Sequence, residues 1–161
     1  IDGRQCGSFG DYSAVSYTLP GIPSIYYGSE WGIQGRKEGG NDDPLRPAVD
    51  LQNVLEEKPN EKLTAWIRKL GEIHKEYPAC VYGQYRELFL TNRQYAFARL
   101  MEDQGILVAV NNDDKEVQIE VREPLAGKVY QDLIKDETVA AENGVLKLNL
   151  EPGGSCILSL T

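Results

Sequence analysis

Hydrophobic residues change their spacing along this chain, and each change marks an element. Leu63, Trp66, Ile67, Leu70, Ile73, His74 and Tyr77 recur at three- and four-residue intervals, with Glu61, Lys62, Arg68, Lys69, Glu72 and Lys75 between them. That period puts an apolar stripe on one face of a helix and charge on the other, which predicts a helix over Asn60 to Tyr77. Asn60 suits an N-cap, Glu61 complements the positive end of the helix, and Pro78 stops it. After Cys80 the interval falls to two. Val117, Ile119 and Val121 alternate with Gln118, Glu120 and Arg122; Leu146, Leu148 and Leu150 alternate with Lys147, Asn149 and Glu151; Cys156, Leu158 and Leu160 repeat the pattern. Turn signals separate the runs at Gln104-Gly105, Asn112-Asp113-Asp114, Asn143-Gly144 and Pro152-Gly153-Gly154, so an antiparallel β-sandwich is predicted over residues 80–161.

The front of the chain reads differently. Residues 1–13 are polar and without a period, a lead-in loop. Tyr12 to Leu19 fits the end of a helix, since Val15 and Leu19 lie four apart. Pro20 and Pro23 forbid helix beyond it, and Ser24 to Tyr27 reads as a short strand. Because that strand shows no alternation, it suits a position buried on both faces of a parallel sheet. A long connection rich in Gly, Asn, Asp and Pro then runs from Ser29 to Lys58, and connections of such length are usually functional or disordered.

The run Leu19-Pro20-Gly21-Ile22-Pro23-Ser24-Ile25-Tyr26-Tyr27-Gly28-Ser29-Glu30, with Arg46-Pro47 at a distance behind it, resembles the last barrel strand and following loop of the α-amylase family, glycoside hydrolase family 13. Within the family, Gly28-Ser29-Glu30-Trp31-Gly32-Ile33 is most similar to the cyclomaltodextrinase, neopullulanase and maltogenic amylase branch. The resemblance extends from about Tyr17 onward. It implies a mixed α and β chain: the last strand-helix unit of a (β/α)8 barrel over residues 1–79, with a strand at about 24–27, a loop at 28–59 and a helix at 60–77, then a C-terminal antiparallel β-sandwich over 80–161. It also implies that the nucleophile, the general acid and the third catalytic Asp belong to earlier barrel strands, ahead of Ile1. No catalytic residue is therefore assigned here. The intact enzyme is expected to cleave α-1,4 bonds of maltodextrins or cyclomaltodextrins with retention, and this chain alone is expected to be inactive.

Composition narrows the partners. Asp and Glu number 25 against 17 Lys and Arg, and the basic residues form no stripe, which argues against nucleic acid or an anionic membrane. Cys6, Cys80 and Cys156 are widely spaced and lack a C-x-x-C pair, so the expectation is free thiols in a reducing, cytoplasmic setting, with no metal and no cofactor. No run approaches the ~20 apolar residues of a membrane span.

Candidate chemistry lies in the loop. Retaining glycosidases need carboxyl groups about 5 Å apart in opposed roles. Asp42 and Asp43 are neighbours in an extended segment, where side chains diverge, so they are not read as such a pair. Asp42 and Arg46 suit sugar binding better, because barrel active sites are built from loops after the strands. A carboxylate and a planar guanidinium together accept from and donate to vicinal hydroxyls. The resemblance implies that the acid four before the loop Arg holds sugars on the non-reducing side of the cleaved bond. A local ion pair that closes the loop is the competing reading. Trp31 offers an apolar face to a sugar ring, against packing under the loop. Glu30 is implied to be a structural acid at the barrel rim, with Gly28 and Pro47 as further structural positions. Tyr26 and Tyr27, on opposite faces of the strand, are expected to pack in the core. His74 stands alone and is assigned no chemistry. Tyr82, Tyr85, Phe89, Tyr95, Phe97 and Tyr130 in the β-half are read mainly as core.

Two functional readings stay open at this point: the C-terminal fragment of an α-glucan hydrolase, and a freestanding β-sandwich module that binds glucan or serves as scaffold. Under the first, the partners are an α-glucan oligosaccharide and the missing N-terminal barrel portion. An unpaired strand edge seeks another chain, so dimerisation, swapping or disorder is expected around residues 1–45 of the isolated chain.

Overall fold

The computed structural model describes residues 12–122, 124 and 129–160. Cys6 and the lead-in over residues 1–11 lie outside them. The chain divides into two compact units: residues 24–69, and residues 12–23 together with 70–160.

In the larger unit, residues 12–18 are helical (α1), as the Val15 and Leu19 spacing predicts. The helix α3, Glu61–Glu76, matches its prediction to one residue at each end and contributes its last turns to this unit. Asn60 is not an ordinary N-cap. Its φ of 54° is left-handed, a region Asn tolerates, and its carbonyl accepts from Leu63 and Thr64 N–H. A four-residue helix, α4 (Ala79–Tyr82), follows Pro78.

Eight strands come next: β1 Gln84–Leu90, β2 Gln94–Leu100, β3 Gly105–Asn111, β4 Val117–Arg122, β5 Tyr130–Asp132, β6 Thr138–Val139, β7 Val145–Leu150 and β8 Ser155–Leu160. Six form one sheet in the order β1-β2-β3-β8-β5-β6, and β4 pairs with β7 in a second; all pairings are antiparallel. Between the sheets lies a core of Ala96, Leu107, Ala109, Ile119, Val121, Tyr130, Leu146, Leu148, Leu150, Cys156, Leu158 and Leu160. Ile119, Val121, Leu146, Leu148, Leu150, Cys156, Leu158 and Leu160 among them are residues whose period-two spacing predicts the sandwich. Each large aliphatic side chain buried there contributes about 1.5–3 kcal/mol.

The strand β3 departs from alternation because both its faces are covered. Leu107 and Ala109 face the second sheet, while Ile106 and Val108 are equally buried on the other side, where α4 packs on β2 and β3. Tyr77 continues this cover beside Ser159 of β8. The aromatic residues split accordingly. Phe97 and Tyr130 are fully buried, Phe89 and Tyr95 are half-buried, and Tyr82 and Tyr85 are exposed rather than core.

The smaller unit corrects two expectations. Residues 24–27 are not a strand: among the described residues none pairs with them, and Ser29 N–H already closes a turn on Tyr26 O at 3.0 Å. A parallel strand exists only through neighbours that take its N–H and C=O groups. Without the pleat, Tyr26 and Tyr27 do not diverge into a core; their ring centres lie 4.7 Å apart, tilted at 42°, and they are 55% and 45% exposed. The long connection is also more structured than its composition suggests. It holds 3-10 turns at Ser29–Trp31 and Asp43–Leu45 and a helix, α2, at Leu51–Glu57. Asp50 caps α2 by accepting from Gln52 and Asn53 N–H, a start signal that is legible in the sequence.

Candidate functional site

The loop residues singled out from the sequence all fall in the smaller unit, on or close to its two 3-10 turns. Gly28 enters the first turn with φ 88°, a conformation most residues avoid, and its carbonyl accepts from Trp31 at 3.2 Å and Ile33 at 2.9 Å. Glu30 and Trp31 therefore sit on one short turn, both half-buried. Thr64 Oγ1 of α3 donates to the backbone carbonyl of Glu30 at 2.8 Å and ties that turn to the helix. The Glu30 carboxylate is less well served, for its Oε2 is buried with no hydrogen-bond partner.

Asp42 and Arg46 flank the second turn as its N-cap and C-cap residues, so the four-residue spacing places them at opposite ends of one turn of backbone. Asn41 Oδ1 accepts from Asp43 N–H at 3.0 Å, and the Gly39-Gly40 reversal is closed by a bridge between Glu38 and Asn41. The charge partner of Asp42 is Lys37, whose Nζ lies 2.8 Å from Oδ1 with both side chains more than half exposed. Such a pair contributes ~0–1 kcal/mol. Among the described residues no ion pair joins Asp42 to Arg46. Arg46 instead acts on Tyr27, lowering the cost of ionising its hydroxyl against the larger effects of lost hydration and of Tyr26, which raise it. Tyr27 Oη donates to Pro47 O at 3.3 Å, which links the end of the tyrosine pair to the Arg46-Pro47 step.

Gly35 holds the loop closed. A Cβ there would meet Pro44 O at 2.3 Å and Leu45 Cα at 2.9 Å, so only glycine allows the two stretches to approach this closely. The loop thus presents Asp42, Arg46, Tyr26, Tyr27 and Leu45 to solvent. Carboxylate, guanidinium, phenol and apolar faces together suit a polyhydroxylated ligand.

The larger unit carries buried polar residues that the sequence reading passed over. Arg99 of β2 is 2% exposed. Its Nε donates to Gly83 O at 3.0 Å, one terminal nitrogen donates to Thr18 O at 3.0 Å and the other to Val81 O at 3.3 Å. Thr18 and Val81 lie at the C-terminal ends of α1 and α4, where carbonyls lack partners and the helix dipole is negative. Burial pulls the Arg99 guanidinium below its ordinary range. Cys80 next to it is pushed up to about 11, mainly by burial and against the positive charge of Arg99. Cys156 is raised by burial and by the Asp132 carboxylate, whose Oδ2 accepts from Sγ at 3.6 Å. Both thiols are free and buried, and neither has the lowered pKa of a nucleophile. His74, assigned no chemistry, donates from Nδ1 to Tyr17 O at 2.7 Å. Among the described residues no group of three or more His, Cys, Asp or Glu side chains is placed to hold a metal.

Residues 85–157 match the family described as Maltogenic Amylase, C-terminal domain. The chain is 31% identical to a cyclomaltodextrinase of Thermoanaerobacter pseudethanolicus over 88% of its own length and 23% of the relative. It is 29% identical to neopullulanase 2 of Thermoactinomyces vulgaris over the same shares. Among solved structures, an Anoxybacillus α-amylase superposes with a TM-score of 0.83 at 23% identity, covering 97% of this chain and 32% of the other. The chain therefore spans about a quarter to a third of the proteins it matches.

Proposed function

Since residues 85–157 match the maltogenic amylase C-terminal domain and the chain resembles the C-terminal part of α-amylase-family enzymes, we propose that it is the C-terminal portion of an α-glucan hydrolase. The intact enzyme cleaves α-1,4 bonds in maltodextrins or cyclomaltodextrins, in the cytoplasm, with catalytic carboxylates supplied by sequence outside these residues. In this reading residues 1–79 complete the catalytic barrel and residues 80–161 are the scaffold. Asp42, Arg46 and Trp31 contact the sugar, while Glu30, Gly28 and Pro47 shape the loop.

One observation carries the reading. Residues 24–69 bury a single large apolar side chain, Leu63, and leave Tyr26, Tyr27, Ile33, Leu45, Leu51 and Leu55 exposed. A 46-residue unit of this kind has no core of its own, and segments that small need burial from elsewhere to stay ordered. The remaining length of an enzyme of the matched size provides it. An isolated β-sandwich module has no need for such a segment.

The test is a fusion that replaces the matching C-terminal portion of the Thermoanaerobacter cyclomaltodextrinase with this chain. The fusion is expected to cleave β-cyclodextrin, whereas the 161-residue chain alone releases no glucose or maltose from maltohexaose or β-cyclodextrin. Asp42→Ala and Arg46→Ala in the fusion are expected to raise KM about tenfold or more, the loss of one or two charged hydrogen bonds. Turnover by the chain alone, or a folded but inactive fusion, refutes the proposal. Light scattering of the isolated chain is expected to show self-association, since its exposed apolar surface is uncovered.

A further inference from the structure

We propose that Tyr85 and Tyr95, with Glu87 beside them, form a glucan-binding platform on the β-sandwich, carried by residues other than those of the loop. The ligand class rests on the reading of the chain as part of an α-glucan hydrolase; the platform itself rests on geometry within the larger unit. Among the aromatic side chains of the strands, Phe97 and Tyr130 are fully buried and Phe89 packs against the core between the sheets. Tyr85 is exposed and Tyr95 half-buried, so the core absorbs neither. The register explains their position. Glu87 lies opposite Phe97 and Leu90 opposite Tyr95, while a bulge between Glu87 and Phe89 brings Phe89 opposite Ala96. Cross-strand partners share a face, so the bulge turns Phe89 inward with Ala96 and leaves Tyr85, Glu87 and Leu90 on the outer face with Tyr95 and Phe97.

The rings of Tyr85 and Tyr95 close over Phe97, their centres 5.9 and 5.2 Å from its own and each inclined 35° to it, and their hydroxyls meet at 2.5 Å. One hydroxyl gives its proton to the other, which keeps its own to donate outward, and both oxygens retain accepting capacity. Burial, the Tyr85 hydroxyl and the Glu87 carboxylate raise the Tyr95 hydroxyl above its ordinary range, so Tyr95 keeps its proton at neutral pH. The exposed Glu87 carboxylate adds a further acceptor. Aromatic faces that end in hydroxyls and a carboxylate match a pyranose, with its apolar C–H faces and its rim of hydroxyls; they suit a wholly apolar partner poorly. A second copy adding along β1 is disfavoured by the bulge and by exposed Arg86 and Glu87, features that blunt sheet edges. A net charge of -8 disfavours polyanions, which leaves a neutral polyol as the fitting occupant.

The experiment titrates maltoheptaose into the 161-residue chain labelled with 3-fluorotyrosine, reading fluorine NMR signals assigned through single phenylalanine variants, with calorimetry on the unlabelled chain in parallel. The Tyr85 and Tyr95 signals are expected to shift saturably while that of Tyr12 on α1 stays. Tyr85→Leu and Tyr95→Leu keep Phe97 covered but remove the flat ring, and each is expected to weaken binding about tenfold. Glu87→Gln, at an exposed position where folding is not at stake, is expected to weaken it about threefold. In the fusion to the Thermoanaerobacter cyclomaltodextrinase, Tyr85→Leu and Tyr95→Leu are expected to reduce retention on insoluble starch. An absence of saturable shifts at Tyr85 and Tyr95 overturns the inference. So does equal retention of the parent and variant fusions, which would mean that the rest of the enzyme covers the platform. If the unmutated fusion cleaves β-cyclodextrin while these binding results fail, this inference alone falls. A folded but inactive fusion overturns the parent reading, and the titration of the chain alone still decides this one.

Discussion

Arg99 gives the sharpest test of what holds the larger unit together. In Arg99→Met the side chain keeps most of its length and apolar stem but loses all three donors to Gly83, Thr18 and Val81 carbonyls. Two effects oppose each other. Removing a buried guanidinium lifts its desolvation penalty, and replacing a buried ion pair by apolar residues is sometimes neutral for that reason. Here, however, no carboxylate partners Arg99 among the described residues; its bonds go to backbone carbonyls that cannot be removed along with it. A hydrogen bond to a charged group contributes about 1.5–3 kcal/mol, and each buried acceptor left without a donor costs about 1–3 kcal/mol. Three such acceptors outweigh the recovered desolvation, and a net loss of about 2–4 kcal/mol is expected.

For a chain of this size that is a Tm drop of about 5–15 °C. Far-UV circular dichroism is the suitable monitor, since both tryptophans, Trp31 and Trp66, lie in the other unit. Hydrogen exchange adds location: residues 12–19 and 79–83 should lose protection before the strands, because Arg99 fastens the ends of α1 and α4 to β2. Arg99→Lys should recover only part of the loss, as an ammonium cannot reproduce the planar fork. If Arg99→Met melts within about 1 °C of the parent, the guanidinium fork stabilises nothing and the reasoning fails.

Cys80 predicts a pH dependence. Its folded value of about 11 exceeds the ordinary 9, so between these values the unfolded chain releases a proton that the folded chain keeps, and stability falls as pH rises. Urea midpoints should decline from pH 9 to pH 11, with a shallower slope in Cys80→Ala; an unchanged slope contradicts the assignment. Gly35→Ala forces its Cβ onto Pro44 O, which should cost about 1–3 kcal/mol of local stability and speed proteolysis within residues 33–46 while leaving the sandwich melt intact. Asn111 is fully buried, donates from Nδ2 to Lys115, Leu150 and Glu151 carbonyls, and accepts from Gln94 and Asp113. Asn111→Leu should lower stability by about 2–4 kcal/mol, read from the same melts, and a loss below 1 kcal/mol would show that water replaces these bonds. In Asp132→Asn the turn that its carboxylate holds at Ile134 and Lys135 N–H should loosen, exposing Cys156 to alkylation faster than in the parent; peptide mapping after iodoacetamide treatment decides it.

How far the sequence carries depends on where each element finds its hydrogen bonds and its burial. The sandwich is legible because β4 and β7 have one face on a shared core and the other toward solvent, so an alternating pattern is enough to mark them. The helix α3 is legible for the same reason at period 3.6. In β3 both faces are covered, the pattern vanishes, and only a run of small and branched apolar residues remains. Arg99 misleads in the opposite way, since a charged residue at a strand position normally marks a solvent face, and nothing local reveals that three carbonyls distant in sequence converge on it. Ser24 to Tyr27 fails at a deeper level. Its composition is that of a strand buried on both sides, but a strand is a relation between segments, and the described residues hold no partner for it. The exposed tyrosine pair, the unpartnered Glu30 oxygen and the missing core of residues 24–69 are one mismatch seen three times: a sequence written for an interior, observed without it. Local pattern and observed burial agree best in β4 and β7 and diverge most in residues 24–69, which is the surface that the rest of the enzyme would cover under the proposed reading.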